Sequence, residues 1–221
     1  MASSLFDTAG PDKSLVDRKT IDGSVYLMRH GHTMLDVDRR SDGWLDLPLS
    51  DDGRLGVIPA QQYLKTIPLV CVHCPDLKRA HETAHIVASG TMSEPKVLKD
   101  DDLRTWNLGV LAGTRKRYGR PEVQKLINDP SKAPLGGESF NNFRDRFMPA
   151  FMEIADECVE TGKPCLYVGS GSNLRLIGQQ LFGDPDMLDL DEGGLAILHS
   201  SNGTWHVEII LGEDDNGDQV S

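Results

Sequence analysis

"VYLMRHGHT", residues 25–33, sets four apolar residues directly against an abrupt polar stop that begins at Arg29 and His30. A short continuous apolar run ending this way is the pattern of a buried parallel strand that opens into a loop. The pattern recurs in "PLVCVHC" (68–74) and in "CLYVGSGSN" (165–173). Two later runs, 195–199 and 205–211, flank "SSNGT" and read as a hairpin. Helical periodicity fills the intervals 53–64, 77–89, 139–159 and 173–182. Strands alternating with helices predict an α/β protein, a three-layer α/β/α sandwich with a mostly parallel central sheet. Ligands of such folds collect at the carboxyl ends of the strands, which gathers "RHGHT", "HCPDLKR" and "GSGSN" around one crevice.

The chain of 221 residues, 38% hydrophobic and 26% charged, is long enough for one substantial core. Its polar first part (1–22) reads as a flexible arm, 23–212 as the folded domain, and the acidic 213–221 as a solvated tail. A net charge of −11 argues against nucleic acid or an anionic membrane as partner. Any phosphate site must then be small and concave. No apolar run approaches the length of a membrane span, and Met1–Gly10 lacks the basic start and apolar centre of a signal peptide, so a cytoplasmic location is expected. Among the four cysteines, Cys71-x-x-Cys74 with His73 between them invites a metal reading. Structural zinc asks for four well-spaced ligands, however, and Cys158 and Cys165 form no such second pair, so reduced, buried thiols and no metal are expected.

Arg29 and His30 close the first strand, and Gly31 lets the backbone approach a ligand. Further blocks follow in order: "GWLDLPLSDDG" (43–53), "DLKRAHETA" (76–84), "GGESFNNFRDR" (136–146) and "LDEGGLAILHSSNGTWHVEII" (190–210). Together with Arg29-His30-Gly31 and Thr33 they resemble the histidine phosphatase superfamily in its phosphoglycerate-mutase-like branch, over nearly all of 25–211. The resemblance implies His30 as a nucleophile that carries the phosphoryl group as phosphohistidine, and Arg29 and Arg79 as forked donors to the phosphoryl oxygens. It implies phosphate contacts from Arg29, Arg79, Ser170, Gly171 and Thr33, a small cap over 106–137, and no metal or organic cofactor. The implied partner is a small phosphorylated molecule. No sequence feature sets the oligomeric state.

Two positions depart from the family pattern. "LRTWNLG" (103–109) puts Thr105 where the family carries its acid Glu, and "VGSGSNLR" (168–175) puts Ser170 where it carries a second His. His32 and Pro75 also stand where Glu or Gln and Ser are usual. Asp101, Asp102 and His32 are the nearest substitutes for the acid, with a solvated acidic loop as the plainer reading of the two aspartates. Arg115, Arg117 and Tyr118 in the cap are the expected specificity residues. The leading expectation is a phosphomonoester hydrolase impaired by the loss of its general acid and second His. The alternative is an inactive phosphatase-fold protein that binds a phosphorylated ligand or serves as a scaffold, through its pocket or through its surface.

Overall fold

Strand β1 (Val25–Arg29) lies mid-sheet, parallel to β4 (Cys165–Gly169) on one side and antiparallel to β5 (Leu195–Ser201) on the other. In this computed structural model, which describes residues 23–212, the sheet is completed by β2 (Cys71–Cys74), β3 (Lys96–Lys99) and β6 (Thr204–Leu211), in the order β3-β2-β4-β1-β5-β6. The first four of these strands run parallel, and only β5 runs against the rest. The expected arm (1–22) and acidic tail (213–221) lie outside the described residues.

Among the described residues the α-helices are α1 (Met34–Val37), α2 (Asp51–Gly56), α3 (Ile58–Leu64), α4 (Lys78–Gly90), α5 (Lys116–Asn128), α6 (Phe140–Thr161) and α7 (Gly171–Phe182). Side chains alternate across a strand, so each parallel strand feeds two cores. Val25, Leu27, Cys165 and Tyr167 face α6 and α7. Tyr26, Met28, Leu166 and Val168 face α3 and α4. This is the expected three-layer sandwich. All four apolar residues of β1 are fully buried, each stabilising the fold by about 1.5–3 kcal/mol on transfer from water.

On the α6 side the seam is a stripe of Phe143, Phe147 and Phe151, spaced four apart along one helix face and packed on Tyr167. The Ser139 hydroxyl caps the start of α6 by accepting from the Asn142 amide at 3.1 Å, and Gly162, in the left-handed conformation that glycine tolerates, ends it. The expected helix over 53–64 is divided at Val57 into α2 and α3, with Pro59 in the first turn of the second. The strand expected from Pro68 begins only at Cys71, because the Leu69 amide turns back to the Ile67 carbonyl. The hairpin turns on Asn202-Gly203, both with positive φ, the pair a tight two-residue turn requires. Among the described residues no helix is long and apolar enough to cross a membrane.

Candidate active site

The crevice opens where β1 and β4 end side by side. The His30 amide donates to the Gly169 carbonyl at 2.9 Å, carrying the sheet ladder one residue beyond β1 and fixing the imidazole at the mouth. A Cβ on Gly31 would lie 2.4 Å from the Gly53 carbonyl oxygen, so only glycine lets this loop pass α2. His30 is buried, and its Nδ1 lies 2.8 Å from the Gly31 carbonyl. A carbonyl only accepts, so Nδ1 carries the proton and Nε2 presents its lone pair. That lone pair accepts from Arg79 Nε at 3.1 Å. Burial, with the Arg79 charge beside it, pushes the His30 pKa down to about 3, so the imidazole is neutral at physiological pH.

Both arginines are held by the framework. Arg79, from the first turn of α4, is 1% exposed and donates to the Leu45 carbonyl at 2.8 Å and the Gly43 carbonyl at 2.7 Å, with Asp42 Oδ2 3.5 Å from its Nε. Arg29 donates to the Leu190 carbonyl at 2.7 Å and closes an ion pair on the Glu192 carboxylate. Two buried polar atoms at the crevice have no partner among the described residues: Arg29 Nε and Ser170 Oγ. Gly171 opens α7 beside them, and a Cβ there would meet the Arg29 guanidinium carbon at 3.4 Å. The start of a 12-residue helix, with Ser170 as its N-cap, therefore lies against the Arg29 guanidinium at the crevice.

The crevice encloses about 480 Å³. Lys116, Arg120 and Arg175 join Arg29 and Arg79 on its wall, against Asp36, Asp42 and Asp189. Burial pushes the Asp42 carboxyl up, with Arg79 opposing. For Asp36 burial also acts upward, but the Thr33 amide, His30 and Lys116 outweigh it and hold the carboxyl low.

Of the residues expected at the site, His30, Arg29, Arg79, Ser170, Gly171 and Thr105 all line this crevice. Thr105 is buried, its hydroxyl 2.5 Å from that of Ser172. Thr33 has a different place: fully buried, it caps α1, and its hydroxyl is held by Asp36 and Asp42 rather than turned to the crevice. Asp101 and Asp102 are exposed in a 3-10 turn, their carbonyls accept from Arg146, and neither belongs to the crevice lining. The His32 side chain is half exposed beside Glu192.

The basic residues expected in the cap are also exchanged. Arg117 stacks on the exposed Tyr118 and the Arg115 backbone pairs with that of Arg40 in an isolated antiparallel bridge, whereas Lys116 and Arg120 line the crevice with Val123 and Ile127. The spacing 116, 120, 123, 127 was the available signal, since it is one face of a helix. Glu192, Asp42 and Asp36 carried no sequence signal that set them apart. His32, Asp36 and Glu192 bring ligand atoms within 4.8 Å of one another, but Lys116 Nζ already lies 3.4 Å from Asp36 and 3.9 Å from Glu192.

Residues 25–210 match the family model of the histidine phosphatase superfamily (branch 1). The chain is 32% identical over 172 residues to phosphoglycerate mutase-like protein 4 of Arabidopsis thaliana, covering 74% of each chain. It is also 32% identical over 169 residues to the glucosyl-3-phosphoglycerate phosphatase of Mycolicibacterium vanbaalenii, covering 72% of this chain and 74% of that one. Among solved structures, YhfR of Bacillus stearothermophilus superposes with a TM-score of 0.70 at 28% identity, over 84% of this chain and 95% of that one.

Proposed function

Because this chain belongs to the histidine phosphatase superfamily, branch 1, we propose that it hydrolyses phosphomonoesters through a phosphohistidine at His30, slowly unless the leaving group is a weak base. The observation that carries this reading is the neutral imidazole: Nε2 holds a lone pair at the crevice, and Nδ1 is pinned as its proton-bearing partner. In the first step Nε2 forms a bond to phosphorus while the phosphorus–oxygen bond of the ester breaks, and the leaving oxygen takes a proton. Water then attacks phosphorus, the nitrogen–phosphorus bond breaks, and inorganic phosphate leaves.

Arg79 is placed to release Nε2 as the phosphoryl group arrives, passing its Nε–H from the nitrogen to a phosphoryl oxygen. Arg29 Nε, Ser170 Oγ and the opening amides of α7 supply the remaining donors. The slow rate in this reading rests on carboxylates that are already engaged: Asp36 by Thr33 and Lys116, and Asp189 by Arg175. Thr105 offers a hydroxyl already shared with Ser172, and Asp42 is engaged by Thr33 and Arg79. Loss of a positioned acid costs about 10²–10⁴ in rate for leaving groups that need the proton. Aryl phosphates do not need it.

The test is hydrolysis of 4-nitrophenyl phosphate by the intact protein and by His30→Ala, with trapping of an acid-labile, base-stable phosphoprotein. Turnover and trapped phosphate that both vanish with His30 support the proposal. Equal turnover in the two proteins overturns it.

One observation favours a second reading, binding without turnover. The terminal nitrogens of both arginines already donate to protein, to Leu190 and Glu192 on one side and to Gly43 and Leu45 on the other. Titration with phosphate or vanadate that saturates the crevice while aryl phosphates remain intact would select this reading.

A further inference from the structure

At the opposite end of the sheet from His30, β2 and β4 begin side by side, in the register that pairs Val72 with Leu166. Their first residues are Cys71 and Cys165, whose sulfurs lie 2.8 Å apart. His73, two residues along β2 and so on the same face, brings Nε2 to 3.1 Å from the Cys71 sulfur. Cys158, in the last turn of α6, is fully buried in the core that holds Cys71 and Cys165, and its thiol pKa is pushed up chiefly by the Cys165 sulfur. Cys74 is excluded, since three residues along a strand is the other face, and it packs in the other core. The Cys71-x-x-Cys74 spacing is thus divided by the sheet. Another set is brought together instead: Cys71 Sγ, His73 Nε2 and Cys165 Sγ lie within 4.8 Å of one another across β2 and β4, and the Cys158 thiol of α6 is buried in the same core as a fourth donor.

Buried cysteines often serve as small apolar side chains, and three of them in one core would need no further account. His73 is what that account leaves out. It is only half-buried, yet it turns a nitrogen onto the Cys71 sulfur. We propose that Cys71, His73, Cys158 and Cys165 form a tetrahedral site for a soft divalent cation of the zinc class, tying the end of α6 to the two central strands. Three Cys and one His is a closed structural donor set, with no position left for substrate, which fits a place remote from the crevice. Sulfurs bonded at about 2.3 Å to a tetrahedral ion stand about 3.8 Å apart, so Cys71 and Cys165 separate by about 1 Å on binding, within the reach of side-chain rotation. Each thiol that binds releases its proton to solvent, so affinity rises with pH. His73 and the slightly exposed Cys71 mark the entry path.

The test uses the full chain, reduced and stripped of metal with a chelator, and titrated anaerobically with Co²⁺. One equivalent per chain should give intense visible bands of tetrahedral cobalt with a thiolate-to-cobalt charge-transfer band, both bleached by Zn²⁺. His73→Gln, at a position with solvent access, should keep the circular dichroism of the parent and weaken cobalt binding by at least about 10–100-fold, the loss typical of disturbing even an outer partner of a metal ligand. Cys165→Ser should abolish the charge-transfer band, and Cys74→Ser should leave it unchanged. The proposal is overturned if the reduced protein shows no thiolate-to-cobalt band, or if the band persists undiminished in His73→Gln. It is equally overturned if air oxidation joins Cys165 to Cys71 or Cys158 while the reduced protein takes up neither ion.

Discussion

The Arg29 guanidinium closes on the Glu192 carboxylate at the crevice wall while its buried Nε–H has no partner among the described residues. Glu192 is 10% exposed, so this is a largely desolvated pair that competes directly with an incoming phosphoryl group for one arginine. Replacing the carboxylate with a neutral amide keeps an acceptor for Arg29 and removes the competing charge. Glu192→Gln should therefore tighten vanadate binding by roughly 5-fold, on the order of 1 kcal/mol. Calorimetric titration of both proteins checks this, and unchanged or weaker binding would show that Glu192 serves to hold Arg29 in place.

Thr105→Glu should supply a proton donor at the crevice. Its effect should depend on the leaving group: a gain of about 10²–10⁴ in kcat/KM for an alkyl phosphate and little change for 4-nitrophenyl phosphate. Parallel steady-state measurements on the two substrates decide the matter. Equal gains on both would mean that the new carboxylate acts on binding or folding and not on the leaving oxygen.

His30 links the site to stability through pH. Its pKa falls from 6.5 in the unfolded chain to about 3 when folded, so the unfolded state binds the extra proton first. Its contribution is accordingly intact above about pH 6.5 and is lost as pH falls toward 3, at up to about 1.4 kcal/mol per pH unit. Urea unfolding of the parent and of His30→Asn between pH 7 and pH 4.5 should show a steeper decline in the parent. Parallel declines would place the acid sensitivity elsewhere. The same shift predicts no loss of kcat/KM on an aryl phosphate between pH 8 and pH 5 from protonation of the nucleophile.

The sequence made β1, β4, α4, α6 and α7 legible because each presents an unbroken apolar run or a clear helical stripe, from Val25–Met28 to the Phe143, Phe147 and Phe151 series, whereas α5 went unread inside the expected cap. β3 escaped because "KVLK" is an exposed edge strand, whose pattern is set by its neighbour β2 and not by burial. The residues proposed to react were legible because Arg29 and His30 close a strand. Their modulators were not: Glu192 reaches Arg29 across 163 positions, and Asp42 meets Arg79 across a loop. The thiol cluster shows the same limit. Cys71 and Cys165 are neighbours only through strand register, and the nearer spacing, Cys71-x-x-Cys74, pointed to a pair that the pleat sends to opposite faces.

Gly31 and Gly53 form one contact, and their substitution tests how the nucleophile is held. A Cβ on Gly31 would lie 2.4 Å from the Gly53 carbonyl oxygen, and one on Gly53 would lie 2.0 Å from the His32 carbonyl oxygen. Backbone opposes backbone, so neither clash is relieved by turning a side chain, and each alanine should cost about 1–3 kcal/mol or more. Gly56, at the end of α2 with open space around its Cβ, is the internal control: Gly56→Ala should be neutral or stabilising by up to about 1 kcal/mol. Once α2 has moved away for the first alanine, the second costs less, so the double variant should lose less stability than the sum of the two singles. Urea midpoints for the four proteins measure this coupling. The displaced loop carries His30, so turnover of 4-nitrophenyl phosphate should fall further than the folded fraction does. Strict additivity, with activity tracking the folded fraction, would mean that α2 does not position the nucleophile.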